Sequence, residues 1–247
     1  MTSLERNPLC IIPARGGSKR LPRKNIVPLG GKPLLTWTID AALETGLFDR
    51  VWVSSEDPEI LEVARAWGGA PLTRPPELAE DHVSLEEMCL WAIESLASRG
   101  HDYTDLYMLL PTSPLRKGST IKRAWNVYLE SGAHFLLSTI PLHHPPQWAL
   151  VEKNGLLSPL FPEEYETPRQ WLVPSLRHEG GHAIGKISEF FKTRSFISSR
   201  TVAFPVAAEE AVDVDEPMDL AWAEFLLQRT ANKRGDHERA CCSGSPR

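Results

Sequence analysis

The stretch IIPARGGSKRLPRKN, residues 11–25, sets Arg15, Lys19, Arg20, Arg23 and Lys24 around Gly16, Gly17 and Ser18. Consecutive glycines let backbone N–H groups converge with no Cβ in the way, and a polyphosphate needs such donors with cations beside them. The loop is neither the G-x-x-x-x-G-K-[ST] of a Walker loop nor the G-x-G-x-x-G of a dinucleotide site. Alone it also reads as a solvated basic turn. In GGKPLL, Lys32 stands near a helix start, where partial positive charge also favours anions. Near the other end, AVDVDEP alternates Asp213 and Asp215 with valines, so both carboxylates project from one face of an extended segment. Magnesium takes one or two protein carboxylates and fills its shell with water and substrate phosphates. Taken singly these are turn aspartates; together with the cationic loop they describe a metal–polyphosphate site.

Other reactive side chains carry weaker messages. His178-Glu179-Gly180-Gly181-His182 is formally the H-E-x-x-H of zinc peptidases. That motif needs a helix to bring residues four apart onto one face, and each glycine there costs about 1 kcal/mol relative to alanine. His143 and His144 read as loop histidines that touch a substrate or a partner, and Trp37, Trp91 and Trp125 read as core.

The elements that must position the two charged segments follow an α/β rhythm. LCII, Pro33–Glu44, VWVSS, Pro58–Trp67, Ser84–Ser98, DLYMLL, a helix after Lys117 and HFLLST alternate strand and helix. Such alternation predicts right-handed crossovers and a mainly parallel sheet covered on both faces, with ligands beyond the carboxyl ends of the strands. From about Leu142 to Gly185 the rhythm breaks into short strands joined by an Asn-Gly turn, which marks an insertion. It resumes at TVAFPV, AVDVD and a helix over Pro217–Leu227, with Asp215 or Glu216 as its cap. One domain over residues 1–229 is expected, with 21 prolines implying long ordered loops and residues 230–247 forming a polar, disordered tail.

The formal charge is −5, so the basic cluster is local and suits a small anionic ligand better than a nucleic acid. No apolar run reaches 18 residues and the start lacks a signal-peptide core, which predicts a cytoplasmic protein with no membrane segment. Cys10, Cys89, Cys241 and Cys242 match neither a disulfide framework nor a zinc ribbon and read as reduced thiols.

The segments IIPARGGSKRLPRKN, GGKPLLTWTIDAAL, LFDRVWVSSED, RPPELAED, PTSPLR and VDVDEPMDL, in this order, resemble the acylneuraminate cytidylyltransferases, which make CMP-sialic acid and related CMP-nonulosonates. The resemblance covers about residues 9–228 and is loose between Pro141 and Lys186. It implies a Rossmann-like nucleotidyltransferase domain whose small inserted region forms a homodimer and closes over the partner's active site. It also implies CTP as co-substrate and Mg2+ as cofactor. Arg15, Gly16, Gly17, Ser18, Lys19, Lys24 and Asn25 would form the nucleotide-binding loop, with Arg74 and Ser84 near the cytosine. Asp213 and Asp215 would hold the metal, with Arg15, Lys19 and Asp213 catalytic. Leu110, Thr112, Arg169 and Gln170 would meet the sugar acid.

Two departures lie where that acid should bind. Family members read QPTSPLR where this chain has Leu110, and NGAIY where it has GGHAIG. Leucine cannot replace the amide's donor and acceptor, so the acceptor differs or a hydroxyl goes unpaired. Kdo-like octulosonates and phosphonates are therefore alternative acceptors, and a CTP-binding module without catalysis is a third possibility.

Overall fold

The computed structural model describes residues 6–242, with side chains through Thr230. Strand β1 (Pro8–Pro13) is buried at every position, as a strand covered on both faces must be. After the basic loop come a two-residue pair, β2 (Pro28–Leu29) and β3 (Lys32–Pro33), then helix α1 (Leu34–Leu43) and strand β4 (Val51–Ser55). Asp57 caps helix α2 (Pro58–Ala66) by accepting the N–H groups of Glu59 and Ile60, with Pro58 at the first position. Strand β5 (Ala70–Thr73) leads to helix α3 (Leu85–Ala97), which Ser84 and Glu87 open with a reciprocal capping box. Strand β6 (Asp105–Met108), helix α4 (Gly118–Ser131) and strand β7 (Phe135–Pro141) complete the first rhythm.

The stretch expected to be inserted divides in two. A hairpin of β8 (Leu150–Lys153) and β9 (Leu156–Pro159) turns at Asn154 and Gly155, both with positive φ, as the Asn-Gly signal predicts. The later part is different: β10 (Leu176–Lys186) enters the main sheet between β7 and β6, antiparallel to both. Its register shifts between His178 and Ala183, so no regular alternation marks it in the sequence. Helix α5 (Ile187–Thr193), strand β11 (Thr201–Pro205) and helix α6 (Pro217–Cys242) follow. The tail expected from residue 230 falls on the last turns of α6, whose side chains are not described, and on residues 243–247, outside the described residues.

The seven-stranded sheet has the order β11-β7-β10-β6-β1-β4-β5, parallel except for β10. Period-two alternation sorts β1 between two cores. Cys10 and Ile12 pack with Leu35, Ile39, Ala124 and Trp125 under α1 and α4; Leu9 and Ile11 pack with Met88, Cys89, Leu96 and Phe190 under α3 and α5. Cys10 and Cys89 are buried free thiols. A third cluster joins Val212 and Val214 to Leu29, Leu34, Ala223 and Leu226. From β1 the chain steps to β4 and β5, then crosses back to β6 on the other side. That reversal opens a crevice at the carboxyl ends of β1 and β6, where open α/β sheets bind ligands.

Candidate active site

The crevice collects residues from five segments. Arg15, Ser18, Lys24 and Asn25 come from the loop after β1, Arg74 follows β5, Ser84 begins α3, Leu110 and Thr112 follow β6, and Asp213 and Asp215 precede α6. Lys19 lines an adjoining hollow with Arg15, Arg20, Lys24 and Asp215. The cations from the amino end and the carboxylates from the carboxyl end thus share one cavity.

Burial of Val212 and Val214 turns Asp213 and Asp215 outward, and the Val214 N–H fixes the segment by donating to the Thr112 carbonyl at 2.8 Å. Asp219 accepts the N–H groups of Asp215 and Glu216 at 3.0 and 2.8 Å, taking the helix-entry role expected of Asp215 or Glu216. The two outward carboxylates have opposite electrostatics. Asp213 is held above the ordinary range, first by the desolvating walls around it and also by Asp215, with the Thr112 hydroxyl opposing. Among the described residues it has no cation within ion-pair distance. For Asp215 desolvation acts upward too, but Lys24 and Arg20, each bonded to one of its oxygens, outweigh it and hold the group low.

Arg15 Nη1 donates to Asp81 at 2.7 Å, and Lys19 pairs with the other oxygen of the same carboxylate. Sequence reasoning did not single out Asp81, although it stands in the RPPELAED segment; nothing local announces a partner more than 60 residues away. Glu56 was also missed. It accepts the Gly16 N–H at 2.7 Å and the Nε and Nη2 of buried Arg74 at 3.1 and 2.8 Å, tying the basic loop to the strand edge.

The glycine pair works differently from a joint amide cradle. The Gly16 N–H is committed to Glu56 and the Ser18 N–H to the Gly16 carbonyl, and neither Gly16 nor Gly17 lines the cavity. Gly16 is needed for close approach, because a Cβ there would lie 2.5 Å from Asp57 Oδ2. Positive charge in the cleft therefore comes chiefly from side chains. Lys32 is also elsewhere, paired with Asp40 and 3.9 Å above the Trp37 ring.

Asn25 is buried, and its Nδ2 holds the Arg15 carbonyl at 2.8 Å. Ser84 reaches the cleft while capping α3. Arg169 and Gln170 are not brought to the cleft of their own chain; they sit exposed on a short 3-10 turn of the insert. The H-E-x-x-H residues lie on β10, not on a helix, and His182 is buried with its Nδ1 2.8 Å from the Tyr107 hydroxyl. No helix among the described residues is long and apolar enough to cross a membrane.

Residues 9–145 match a family model described as cytidylyltransferase. The chain belongs to that family. It is 33% identical to the pseudaminic acid cytidylyltransferase of Campylobacter jejuni, over 89% of this chain and 96% of that protein. It is 30% identical to the CMP-N,N'-diacetyllegionaminic acid synthase of Legionella pneumophila, again over 89% of this chain and 96% of that protein. With the N-acylneuraminate cytidylyltransferase of Streptococcus agalactiae it shares 34% identity over 84% of its length and 50% of that protein's. Among solved structures, CMP:2-keto-3-deoxy-manno-octonic acid synthetase complexed with CTP matches with a TM-score of 0.66 and 18% identity, over 91% of this chain and 99% of that one. At that identity the likeness speaks for the nucleotidyltransferase fold alone.

Proposed function

We propose that this cytidylyltransferase transfers CMP from CTP to the 2-hydroxyl of a sialic acid-like nonulosonate, a 2-keto-3-deoxy sugar acid, releasing pyrophosphate. The observation that carries the reading is the crevice in which Arg15 and Lys24 share the lining with Asp213 and Asp215, with Lys19 in the adjoining hollow beside Asp215. Relatives at 30% identity or more that span 84% or more of this chain are named for nonulosonates, which favours such an acid over an octulosonate or a phosphonate.

In the reaction the 2-hydroxyl oxygen attacks the α-phosphorus, a new O–P bond forms, and the bond to the β-phosphate oxygen breaks in line. Arg15, Lys19 and Lys24 leave their protein carboxylates for the phosphate oxygens and stabilise charge on the departing pyrophosphate. Asn25 keeps the loop in place, and Arg74 and Ser84 border the base. Asp213 and Asp215 fit Mg2+: both offer hard oxygen ligands to one crevice, and Asp213 forms no ion pair among the described residues. When bound, Mg2+ neutralises phosphate charge and polarises the reacting phosphoryl group. An Asp213 oxygen not engaged with the metal accepts the proton of the attacking hydroxyl.

The insert serves a homodimer in this reading. Leu156, Leu157, Trp171 and Val173 are each about two-thirds or more exposed, and burial against a second copy would carry Arg169 and Gln170 towards the partner's cleft. Arginine there can meet the acid's carboxylate bidentately. The test is pyrophosphate release from CTP and Mg2+ with a panel of nonulosonic, octulosonic and phosphonic acids. Release with a nonulosonate that falls at least about 100-fold in Asp215→Ala is expected. Undiminished release in that variant contradicts the metal assignment, and tight CTP binding without release for any acid contradicts the reaction.

A further inference from the structure

Strand β4 lies between β1 and β5 in the sheet, so the residue that leaves its carboxyl end can reach the loops on both sides. That residue is Glu56. One of its oxygens accepts the Gly16 N–H at 2.7 Å, and the other accepts Nε and Nη2 of Arg74 at 3.1 and 2.8 Å. The main chain is joined in the same way: the Ser54 carbonyl accepts the Ala14 N–H at 2.9 Å, and the Ser55 carbonyl accepts the Arg74 N–H at 3.0 Å. Glu56 does not line the crevice, whereas Arg15, next to Gly16, and Arg74 both do. A carboxylate outside the cavity thus holds two of the segments that form it.

The clamp has an electrostatic reason. The Arg74 side chain is only 4% exposed, and Glu56 is its one ion-pair partner among the described residues. A buried guanidinium without that partner would draw in water or turn to another anion, a triphosphate included. With Nε and Nη2 committed to Glu56, the Nη1 donors bond to no described residue and are left for a ligand. Guanidinium carries donors and no acceptor. Cytosine presents two adjacent acceptors, O2 and N3, on its pairing edge, while uracil carries an N–H at N3. A guanidinium fixed at that edge accepts cytosine and opposes uracil; one that swings away does neither.

We propose that Glu56 is a positioning residue for nucleotide selection: by clamping Arg74 to the phosphate-binding loop, it holds the guanidinium where it favours cytosine over uracil. The proposal rests on the reading that this crevice takes CTP with its base at Arg74, and adds to it the residue on which the choice of nucleotide depends.

The experiment measures Kd for CTP and for UTP by titration calorimetry with Mg2+ and no acceptor acid, in the wild type, Glu56→Gln, Glu56→Ala, Arg74→Met and the Glu56→Gln/Arg74→Met double variant. The wild type is expected to bind CTP at least about tenfold tighter than UTP, the scale of one charge-assisted hydrogen bond. Glutamine has nearly the shape of glutamate, but its single oxygen can meet Gly16 or Arg74 and its NH2 then faces a donor at the other. Glu56→Gln should therefore cut the CTP preference at least about threefold, and Glu56→Ala should bring it near one, chiefly through weaker CTP binding. In the Arg74→Met background Glu56→Gln should leave the ratio unchanged, because two residues acting through one contact are not additive. A merely structural role would weaken both nucleotides alike and leave the ratio intact. Glu56→Gln serves where Glu56→Ala does not fold, and a ratio in Arg74→Met equal to that of the wild type overturns the proposal whatever either Glu56 variant does. An unchanged ratio in folded Glu56→Gln overturns it too, as does a ratio that falls as far in the Arg74→Met background as in the wild type. Failure of CTP to bind the wild type overturns the reading of the crevice and this proposal with it, a result distinct from tight CTP binding with no preference over UTP, which overturns the proposal alone.

Discussion

Around the crevice the loop cations already face carboxylates: Arg15 and Lys19 meet Asp81, Arg20 and Lys24 meet Asp215, and Arg74 meets Glu56. Across the hairpin and the loop that follows it, the prominent exposed side chains are instead Leu156, Leu157, Trp171 and Val173. In the first region the cations are already paired, so an incoming polyphosphate exchanges one set of anions for another with little rebuilding of the protein. The second has no core of its own, because a two-stranded hairpin offers too little area to bury both faces. One surface is organised for a small anion and the other for apolar contact, and they should respond differently to substitution.

The largest separation is expected from Arg15→Ala. Steady-state kcat/KM for CTP should fall at least about 100-fold. Melting should change little, because the Arg15–Asp81 pair is exposed and such pairs contribute about 0–1 kcal/mol. Retained activity in a folded Arg15→Ala would break the contrast at its stronger end.

A smaller effect is expected at the other surface. Leu157→Glu combined with Val173→Glu should weaken self-association by at least about tenfold, since a buried apolar side chain contributes roughly 1.5–3 kcal/mol. Sedimentation velocity reads this directly. An unaltered sedimentation profile would show that this apolar surface does not join two copies.

The smallest effect sharpens the link between scaffold and crevice. Asp57→Ala removes the cap of α2 and the partner of Arg23, and should cost about 1 kcal/mol in chemical denaturation near neutral pH. Partial burial pushes the Asp57 carboxyl up, but Arg23 and the N–H groups of Ile60 and Glu59 outweigh it and hold it low. A depressed carboxylate stabilises the fold above its unfolded-state pKa, about 3.9, and the contribution is lost as pH falls through the lower folded value. The variant should therefore lose less stability than the wild type between about pH 5 and pH 2; parallel acid-unfolding curves would remove Asp57 from the account.

Much of this was legible from local signals. VWVSS coincides with β4, Pro58 starts α2, Ser84 caps α3, and Asn154-Gly155 turns the hairpin, because each signal acts through atoms within a few residues. Asp213 and Asp215 were legible through their buried valine neighbours. Strand β10 was not, since its glycines and register shift erase the alternation and its place in the sheet is set by β6 and β7. Asp81 and Glu56 escaped for a related reason: a surface carboxylate looks the same in sequence whether it meets water or a distant arginine.

The chain by itself determined the alternation of strands and helices, the caps, and a cationic loop early with an acidic pair late, all consequences of side-chain periodicity and short-range hydrogen bonding. Only the tertiary structure decided that Gly16 serves close approach more than anion binding, that Asp81 pairs with Arg15 and Lys19, and that Leu110 rests on Gly180. Those contacts join residues 40 or more positions apart, and their geometry exists only once the sheet has set the order of its strands.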